Sequence, residues 1–145
     1  MEQIKGWRTS FGASAALILA LNVAGVAQQY SFRHYGASEG LQNLTILSLA
    51  QDGAGFIWAG SEGGLYRYDG TRFRLMATAE GLPCASEVRA LHVAADGALW
   101  VNACSQILRF DGQSFHAIPG LGGMLSSTQG MVNDSRGNVL VASPT

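Results

Sequence analysis

The chain carries little charge: 13% of its 145 residues are Asp, Glu, Lys or Arg, and the formal net charge is −1. The basic residues are scattered, which excludes binding of nucleic acid through bulk electrostatics. Cysteine is also scarce, with only Cys84 and Cys104. Two thiols this far apart, without a nearby histidine pair, do not make a zinc site. An even number of cysteines instead suggests a disulfide in an oxidising compartment.

Long apolar runs are absent except for one near the N-terminus. Residues 11–26 carry no charge and follow Lys5 and Arg8. This run is shorter than the roughly 20 residues that span a bilayer, and the small residues Gly25 and Ala27 lie before the expected cleavage point. Residues 1–27 are therefore predicted to be a signal peptide, with an uncleaved anchor as the alternative. Both interpretations place the rest of the chain outside the cytoplasm.

Glycine, in contrast, is abundant, with 19 residues, and the chain repeats itself. A glycine-rich composition suits many short strands joined by turns. Several identical or similar residues recur at an offset of 42 positions, and a third copy that begins at Gly120 has Leu140 in place of the tryptophan. The residues paired at this offset include Trp58 with Trp100, Leu65 with Ile107, Arg67 with Arg109, Asp69 with Asp111, and Phe73 with Phe115.

Each copy is predicted to form four short antiparallel strands. In the first copy they cover residues 44–51, 56–60, 64–68 and 71–76, with a hairpin at Asp69–Gly70, where residues of this type can take positive φ. Repeats of 40 to 45 residues with one tryptophan each are typical of propeller blades. The predicted fold class is therefore all-β, with about two and a half four-stranded blades of an incomplete β-propeller.

The repeat boundaries divide the chain into a short strand, two blades and the start of a third. Residues 28–39 are predicted to form a lone outer strand, because Phe32 aligns with Phe73. Residues 40–80 form blade 1, residues 81–119 form blade 2, and residues 120–145 begin blade 3. The lone strand is expected to close the ring by pairing with strands beyond residue 145. Since a blade buries its faces only against neighbours, this piece expressed alone is expected to aggregate or stay partly unfolded.

The prominent side chains have structural interpretations. The first strand is predicted to be buried on both faces. Tyr66 and Tyr68 are predicted to point to opposite faces of their strand, so that only one reaches the core. Three further roles are predicted: blade-to-blade packing by Trp58 and Trp100, core positions for Phe73 and Phe115, and turn formation by Asp69 and Asp111.

A candidate ligand site follows from the propeller geometry. The loop before the first strand of a blade and the turn after its second strand lie on the same face, and binding residues are commonly held on such loops. The candidates are Asn43, Ser61 and Glu62 in the first copy, and Glu87 and Asn102 in the second. The alternative is that these are ordinary solvated loops.

The two cysteines fall on this same face of the second copy. Cys84 occupies the repeat position of Asn43, and Cys104 that of Glu62. A disulfide between them is therefore predicted, and it would hold the loop and the turn together.

No residue of the chain is assigned a catalytic or cofactor-binding role. The acidic residues fall mostly in turns, and His34, His92 and His116 occupy different repeat positions, which predicts no metal site. A carbohydrate-active enzyme with a second carboxylate from another blade remains an alternative.

The repeat resembles the two-component regulator propeller repeat. The second copy departs from the pattern, with Asn102 in place of a glycine and Ser105–Gln106 in place of Gly-Gly. The residues of the first copy that carry the resemblance are Gly40, Leu41, Asn43, Ile46, Gln51, Asp52, Gly55, Ile57, Trp58, Gly60, Gly63, Gly64, Leu65, Tyr66, Asp69, Gly70 and Phe73.

The resemblance implies the sensor region of a bacterial membrane receptor. In that family one or two rings of blades in the periplasm precede an immunoglobulin-like domain, a transmembrane helix and a cytoplasmic output module. The output is commonly a histidine kinase, sometimes a diguanylate cyclase or a DNA-binding regulator. The implied ligand is a small molecule or a glycan, and the implied full-length protein is a membrane-anchored homodimer on the periplasmic side of the inner membrane. A secreted binding or adhesion propeller is the alternative.

Overall fold

The computed structural model describes residues 30–121 and 130–142. The chain divides into two units, Met1–Arg33 and His34–Thr145. The described part of the first unit, residues 30–33, has no regular secondary structure, and the rings of Tyr30 and Phe32 lie 6.5 Å apart. The predicted signal peptide lies outside the described residues. The pairing of residues 28–39 with strands beyond residue 145 stays a prediction.

The described residues of the second unit form strands that pair into three antiparallel sheets. Two sheets have four strands in the order of the chain, and the third is a described pair of strands. Blade 1 contains β1 (Ile46–Gln51), β2 (Ile57–Ser61), β3 (Gly64–Tyr68) and β4 (Phe73–Leu75). Blade 2 contains β5 (Val88–Val93), β6 (Leu99–Ala103), β7 (Gln106–Phe110) and β8 (Phe115–Ala117), and blade 3 contains β9 (Gly130–Asn133) and β10 (Val139–Ala142). The all-β, propeller-like fold is as predicted.

The two complete blades have the same strand register. Trp58 pairs with Ala50 in blade 1, and Trp100 pairs with His92 in blade 2, at equivalent positions of the second and first strands. The register shifts at the same place in both first strands, between Ile46 and Ser48 and between Val88 and Ala90. The sequence repeat is therefore a repeat of backbone hydrogen bonding as well.

A short hook precedes each of the two complete blades. Before blade 2, residues Thr78–Glu80 form a 3-10 turn in which Glu80 Oε2 accepts the backbone N–H of Ala77 at 2.9 Å. Gly81 follows with φ +87°, and a Cβ on it would lie 2.6 Å from the carbonyl oxygen of Phe115. Glycine is required here both by the positive φ and by this close approach. The residues at the same positions before blade 1 are Ala37–Glu39, Gly36, Gly40 and Phe73.

The main core lies between blades 1 and 2. The side chain of Trp58 is fully buried, and its ring lies 5.2 Å from that of Phe110 and 6.2 Å from that of Phe115. In each blade we call the sheet face that carries the tryptophan of the repeat the trailing face, and the opposite face the leading face. The trailing face of blade 1 therefore packs against the leading face of blade 2. The blade-to-blade role predicted for Trp58 is confirmed. Other buried members of this core are Leu65, Met76, Leu82, Val88, Leu99, Val101, Ala103 and Leu108.

A smaller core joins blades 2 and 3. Ile107 on the trailing face of blade 2 is buried together with Met131 of β9, and Trp100 packs against them while remaining partly exposed. His92 Nε2 on β5 lies 3.0 Å from Asn133 Oδ1 on β9. This interface therefore contains a polar contact between the first strands of the two blades.

The first strand of blade 1 is not buried on both faces as predicted. Its burial alternates, and Leu47 and Leu49 on the leading face are 40% and 66% exposed. Ile57 of β2, on the same face, is 36% exposed, whereas Leu99, at its position in blade 2, is 2% exposed. The reason is that no blade covers this part of the leading face of blade 1 within the described residues.

Two predictions about β3 and the turn after it need correction. Tyr66 and Tyr68 are both buried on the leading face, because residues two apart in a strand point to the same side. The turn after β3 does form the predicted hairpin, but it has four residues rather than two, since Tyr68 pairs with Phe73. Asp69 closes it as a turn former, its Oδ1 accepting the backbone N–H groups of Thr71 and Arg72.

Candidate functional site

The structure brings the predicted loop and turn of each blade together. We call this surface the loop face; it comprises residues 42–45 and 62–63 of blade 1 and residues 83–87 and 104–105 of blade 2. In blade 1 the N–H of Glu62 donates to the carbonyl of Thr45 at 3.2 Å, and the N–H of Thr45 donates to Asn43 Oδ1 at 3.0 Å. The side chain of Asn43 also packs against Gly63. The first loop is therefore fixed to the turn by backbone and side-chain contacts.

In blade 2 the same loop and turn are joined by a covalent bond. Cys84 and Cys104 form a disulfide with Cα atoms 6.2 Å apart. This separation is ordinary for a disulfide, so the loop and turn meet without displacement of the backbone. A disulfide of this kind limits the freedom of the unfolded chain and stabilises a domain by about 2–4 kcal/mol.

Two of the five candidate residues have buried side chains that shape the blade. Ser61 is fully buried, where its Oγ donates to the carbonyl of Gly64 at 2.9 Å and accepts the N–H of Gly63 at 3.1 Å. Asn102 is 3% exposed within β6. In this structure Ser61 therefore closes the β2–β3 turn, and Asn102 occupies an interior position of blade 2.

The other three candidates lie at the surface of the loop face. Glu62 is exposed at the tip of its turn, Asn43 is half-buried, and Glu87 forms an ion pair with Arg89 at 2.7 Å. Carboxylates, an amide and a guanidinium together present several hydrogen-bond acceptors and donors. These groups could form hydrogen bonds with the hydroxyl groups of a ligand, and like ordinary solvated side chains they are at least partly exposed.

The opposite edge of the blades carries a concavity that the sequence did not indicate. It has a volume of about 330 Å³ between blades 1 and 2, and the turns around Asp52, Asp96 and Asp111 line it together with Arg109. Each carboxylate already accepts hydrogen bonds. Asp52 accepts from the N–H groups of Ala54 and Phe56 and from Trp58 Nε1, and Asp96 accepts from the N–H of Ala98 and from Arg109. Asp111 accepts from the N–H groups of Gln113 and Ser114 and bonds to His116.

These hydrogen bonds set the charge of the carboxylates. The N–H of Ala98, with Arg109 beside it, lowers the pKa of Asp96. The N–H groups of Ser114 and Gln113 lower the pKa of Asp111 still further. Carboxylates held ionised in this way suit turn closure better than general acid catalysis, which needs a pKa close to the working pH.

Residues 30–121 and 130–142 contain no group of three His, Cys, Asp or Glu side chains arranged to hold a metal ion. The same residues contain no helix long and apolar enough to span a membrane.

The fold and the loop face define a class of protein, the β-propeller built from short repeated blades. Residues 40–63, in blade 1, match the family model described as two component regulator propeller. A comparison with the curated proteins found no match.

Among solved structures, the chain is similar to the extracellular domain of the putative hybrid two component system BT3049 from B. thetaiotaomicron. The TM-score is 0.59 and the sequence identity is 20%, with 77% of this chain and 16% of that chain covered. At this identity the likeness shows the fold alone. The chain spans about a sixth of the length of that structure.

Proposed function

We propose that this chain is part of the extracytoplasmic, ligand-sensing propeller of a bacterial two-component-type membrane receptor. The observation that carries the proposal is the match of residues 40–63 to the two component regulator propeller family. The similar solved structure is described as the extracellular domain of a putative hybrid two component system, which supports an exported location. The proposed output is a histidine kinase in the cytoplasm of a homodimeric receptor, with a diguanylate cyclase as an alternative.

The proposed ligand is a small molecule or a glycan that contacts the loop face. Asn43, Glu62 and Glu87 are the side chains available for that role, and the contacts between loop and turn hold them on a rigid scaffold. A ligand that binds one state of a receptor better than another shifts the equilibrium between them by its difference in affinity. The loop face would act by coupling binding to that equilibrium.

Ligand binding at the loop face can be tested on a panel of immobilised neutral and acidic oligosaccharides. We expect an oligosaccharide that binds the protein to lose affinity with Glu62→Gln and with Glu87→Gln. The control variant Thr71→Ala lies in the β3–β4 turn, at the opposite edge of the blade, and should bind as the unaltered protein does. Equal loss in all three variants would contradict a site on the loop face.

The receptor assignment can be tested separately on the full-length protein. We expect the coding region downstream of residue 145 to specify a transmembrane helix followed by a kinase or cyclase, and the propeller to be accessible to protease from the periplasm. A chain that ends once the ring is closed, without a membrane helix, would instead indicate a secreted binding or adhesion protein. Hydrolysis of a bound oligosaccharide would favour the carbohydrate-active enzyme.

A further inference from the structure

The β2–β3 turn of blade 1 and the β6–β7 turn of blade 2 are equivalent hairpins with different backbone conformations. Each has two residues between paired strand ends, since Ser61 pairs with Gly64 and Ala103 pairs with Gln106. In blade 2 both turn residues have positive φ, 56° at Cys104 and 58° at Ser105. Positive φ at both central residues defines the type I′ turn, which strongly favours Asn-Gly because other side chains are strained there.

Blade 1 closes its hairpin without that strain. The residue with positive φ is Gly64, at +128°, where glycine is tolerated at no steric cost. The Ser61 hydroxyl bonds to both Gly63 and Gly64, and this fixes the turn. The hairpin of blade 1 is therefore held by its own hydroxyl group and glycines.

Blade 2 lacks every one of these devices. The residues equivalent to Ser61, Gly63 and Gly64 are Ala103, Ser105 and Gln106, so the capping hydroxyl and both glycines are missing. Two consecutive non-glycine residues instead take the left-handed conformation, and such residues persist only where the surroundings determine them. The connection that distinguishes blade 2 at this position is the disulfide from Cys104 to Cys84.

We propose that the Cys84–Cys104 disulfide is a redox-sensitive clamp that holds the Cys104–Ser105 turn in its strained conformation. The bond ties the strained residue to the loop that enters blade 2, which replaces the contact that Asn43 makes with Gly63 in blade 1. A dithiol reductant transfers two electrons and two protons to the disulfide, which gives two thiols and leaves the reductant as a disulfide. The freed turn then leaves the left-handed conformation, and the loop face of blade 2 changes shape while that of blade 1 does not.

Hydrogen exchange of the backbone amides in the full-length protein tests the clamp. We expect residues 101–108 to exchange about tenfold faster or more after reduction with dithiothreitol. Without the disulfide, the strain of the two left-handed residues shifts the equilibrium between the closed and the open turn toward the open turn by more than about a factor of ten. Residues 59–66, the equivalent segment of blade 1, serve as the internal control and should be unaffected. Unchanged exchange at residues 101–108 after complete reduction would overturn the proposal.

A second variant separates strain from a simple loss of the cross-link. Cys84→Ser, Cys104→Asn and Ser105→Gly together remove the disulfide and place the preferred Asn-Gly pair in the turn. We expect this variant to retain slow exchange at residues 101–108, whereas Cys84→Ser with Cys104→Ser should exchange as the reduced protein does. If both variants exchange equally fast, the disulfide does not compensate for the turn, and the proposal is wrong even where reduction loosens the whole blade.

Discussion

Blades 1 and 2 share a backbone register, but they differ in how the buried tryptophan is satisfied. In blade 1 the indole Nε1 of Trp58 donates to Asp52 Oδ2 at 2.8 Å. In blade 2 the position of Asp52 is taken by Ala94, and the buried Nε1 atom of Trp100 has no hydrogen-bond partner among the residues that the structure describes. An unsatisfied buried donor costs about 1–3 kcal/mol. The comparison shows that the repeat specifies the backbone more strictly than the polar partners of its side chains.

The arginine at the same position of the third strand shows a similar difference. In blade 1 the Arg67 guanidinium lies over the ring of Phe56, 4.7 Å from its centroid, and 5.6 Å from that of Trp58. In blade 2 Arg109 instead pairs with Asp96 at 3.0 Å. The aspartate has moved two positions along the turn relative to Asp52, and it serves the arginine rather than the tryptophan. Blade 1 is thus the better satisfied of the two around its tryptophan.

The largest expected difference between the blades concerns the tryptophans themselves. Trp58→Ala should reduce the free energy of unfolding by about 3–5 kcal/mol, because it removes a fully buried ring between two blades. Trp100→Ala should cost clearly less, since that ring is partly exposed and its N–H has no partner within residues 30–121 and 130–142. Urea unfolding of both variants measures the difference. Equal losses would mean that the two interfaces are equally well packed.

A second pair of substitutions compares the leading faces of the two blades. Leu99→Ala should cost about 2–5 kcal/mol, whereas Ile57→Ala, at the equivalent position of blade 1, should cost less than about 1 kcal/mol because Ile57 is one-third exposed. The free energy of unfolding again measures both. A large loss for Ile57→Ala would show that another surface covers the leading face of blade 1 in solution.

Removing the aspartate from blade 1 and adding one to blade 2 should change the free energy of unfolding moderately and in opposite directions. Asp52→Ala leaves the indole N–H of Trp58 without its acceptor and should cost about 1–3 kcal/mol. Ala94→Asp supplies an acceptor for Trp100 in a turn with the same backbone hydrogen bonds, and should add about 0.5–1.5 kcal/mol. Thermal unfolding midpoints should therefore fall in the first variant and rise in the second. A fall in both would show that the turn of blade 2 cannot place a carboxylate near Trp100.

The smallest expected difference is in acid sensitivity. The backbone N–H of Arg72 lowers the pKa of Asp69, and the N–H groups of Ser114 and Gln113 lower that of Asp111. A depressed pKa in the folded state contributes stability above the unfolded value, about 3.9, and this stability is lost as the pH falls below it. The unfolding midpoint should therefore be steady between pH 7 and pH 5 and fall below about pH 4.

The matched substitutions Asp69→Asn and Asp111→Asn should each weaken the fall of the midpoint in acid. The effect should be greater for Asp111, which also accepts a hydrogen bond from His116. Midpoints measured from pH 5 to pH 2 in both variants give the comparison. An identical acid response in the unaltered protein and in both variants would contradict a role for these two carboxylates.

Much of the fold could be predicted because the 42-residue offset aligns turns and core residues at once. The blades, the hairpins and the interface role of Trp58 all follow from that alignment. Burial of the first strand could not be predicted in the same way, because Leu49 is apolar whether or not a neighbouring blade covers it. The faces of Tyr66 and Tyr68 could have been predicted, since residues two apart in a strand share a side.

The candidate site was less predictable than the fold. The repeat geometry correctly placed the loop before the first strand beside the turn after the second, and the two cysteines with them. It gave no warning that Ser61 and Asn102 would be buried, because polar residues near strand ends are usually exposed. The strained turn at Cys104–Ser105 does not have the Asn-Gly sequence by which type I′ turns are recognised. Asp69–Gly70 has a similar sequence but forms a different turn.

The hook that precedes each blade bears on how such a protein can gain or lose length. Gly81 touches the outer strand of the blade that follows it, so each blade is held by the segment immediately before it in the chain. A duplication that starts at this glycine would copy a blade together with its own fastening, and each junction would remain as it was. A duplication that starts inside a blade would place a hook against the outer strand of a different blade. Recombination that starts at the hook, at the positions of Gly40 and Gly81, should therefore disturb these contacts least.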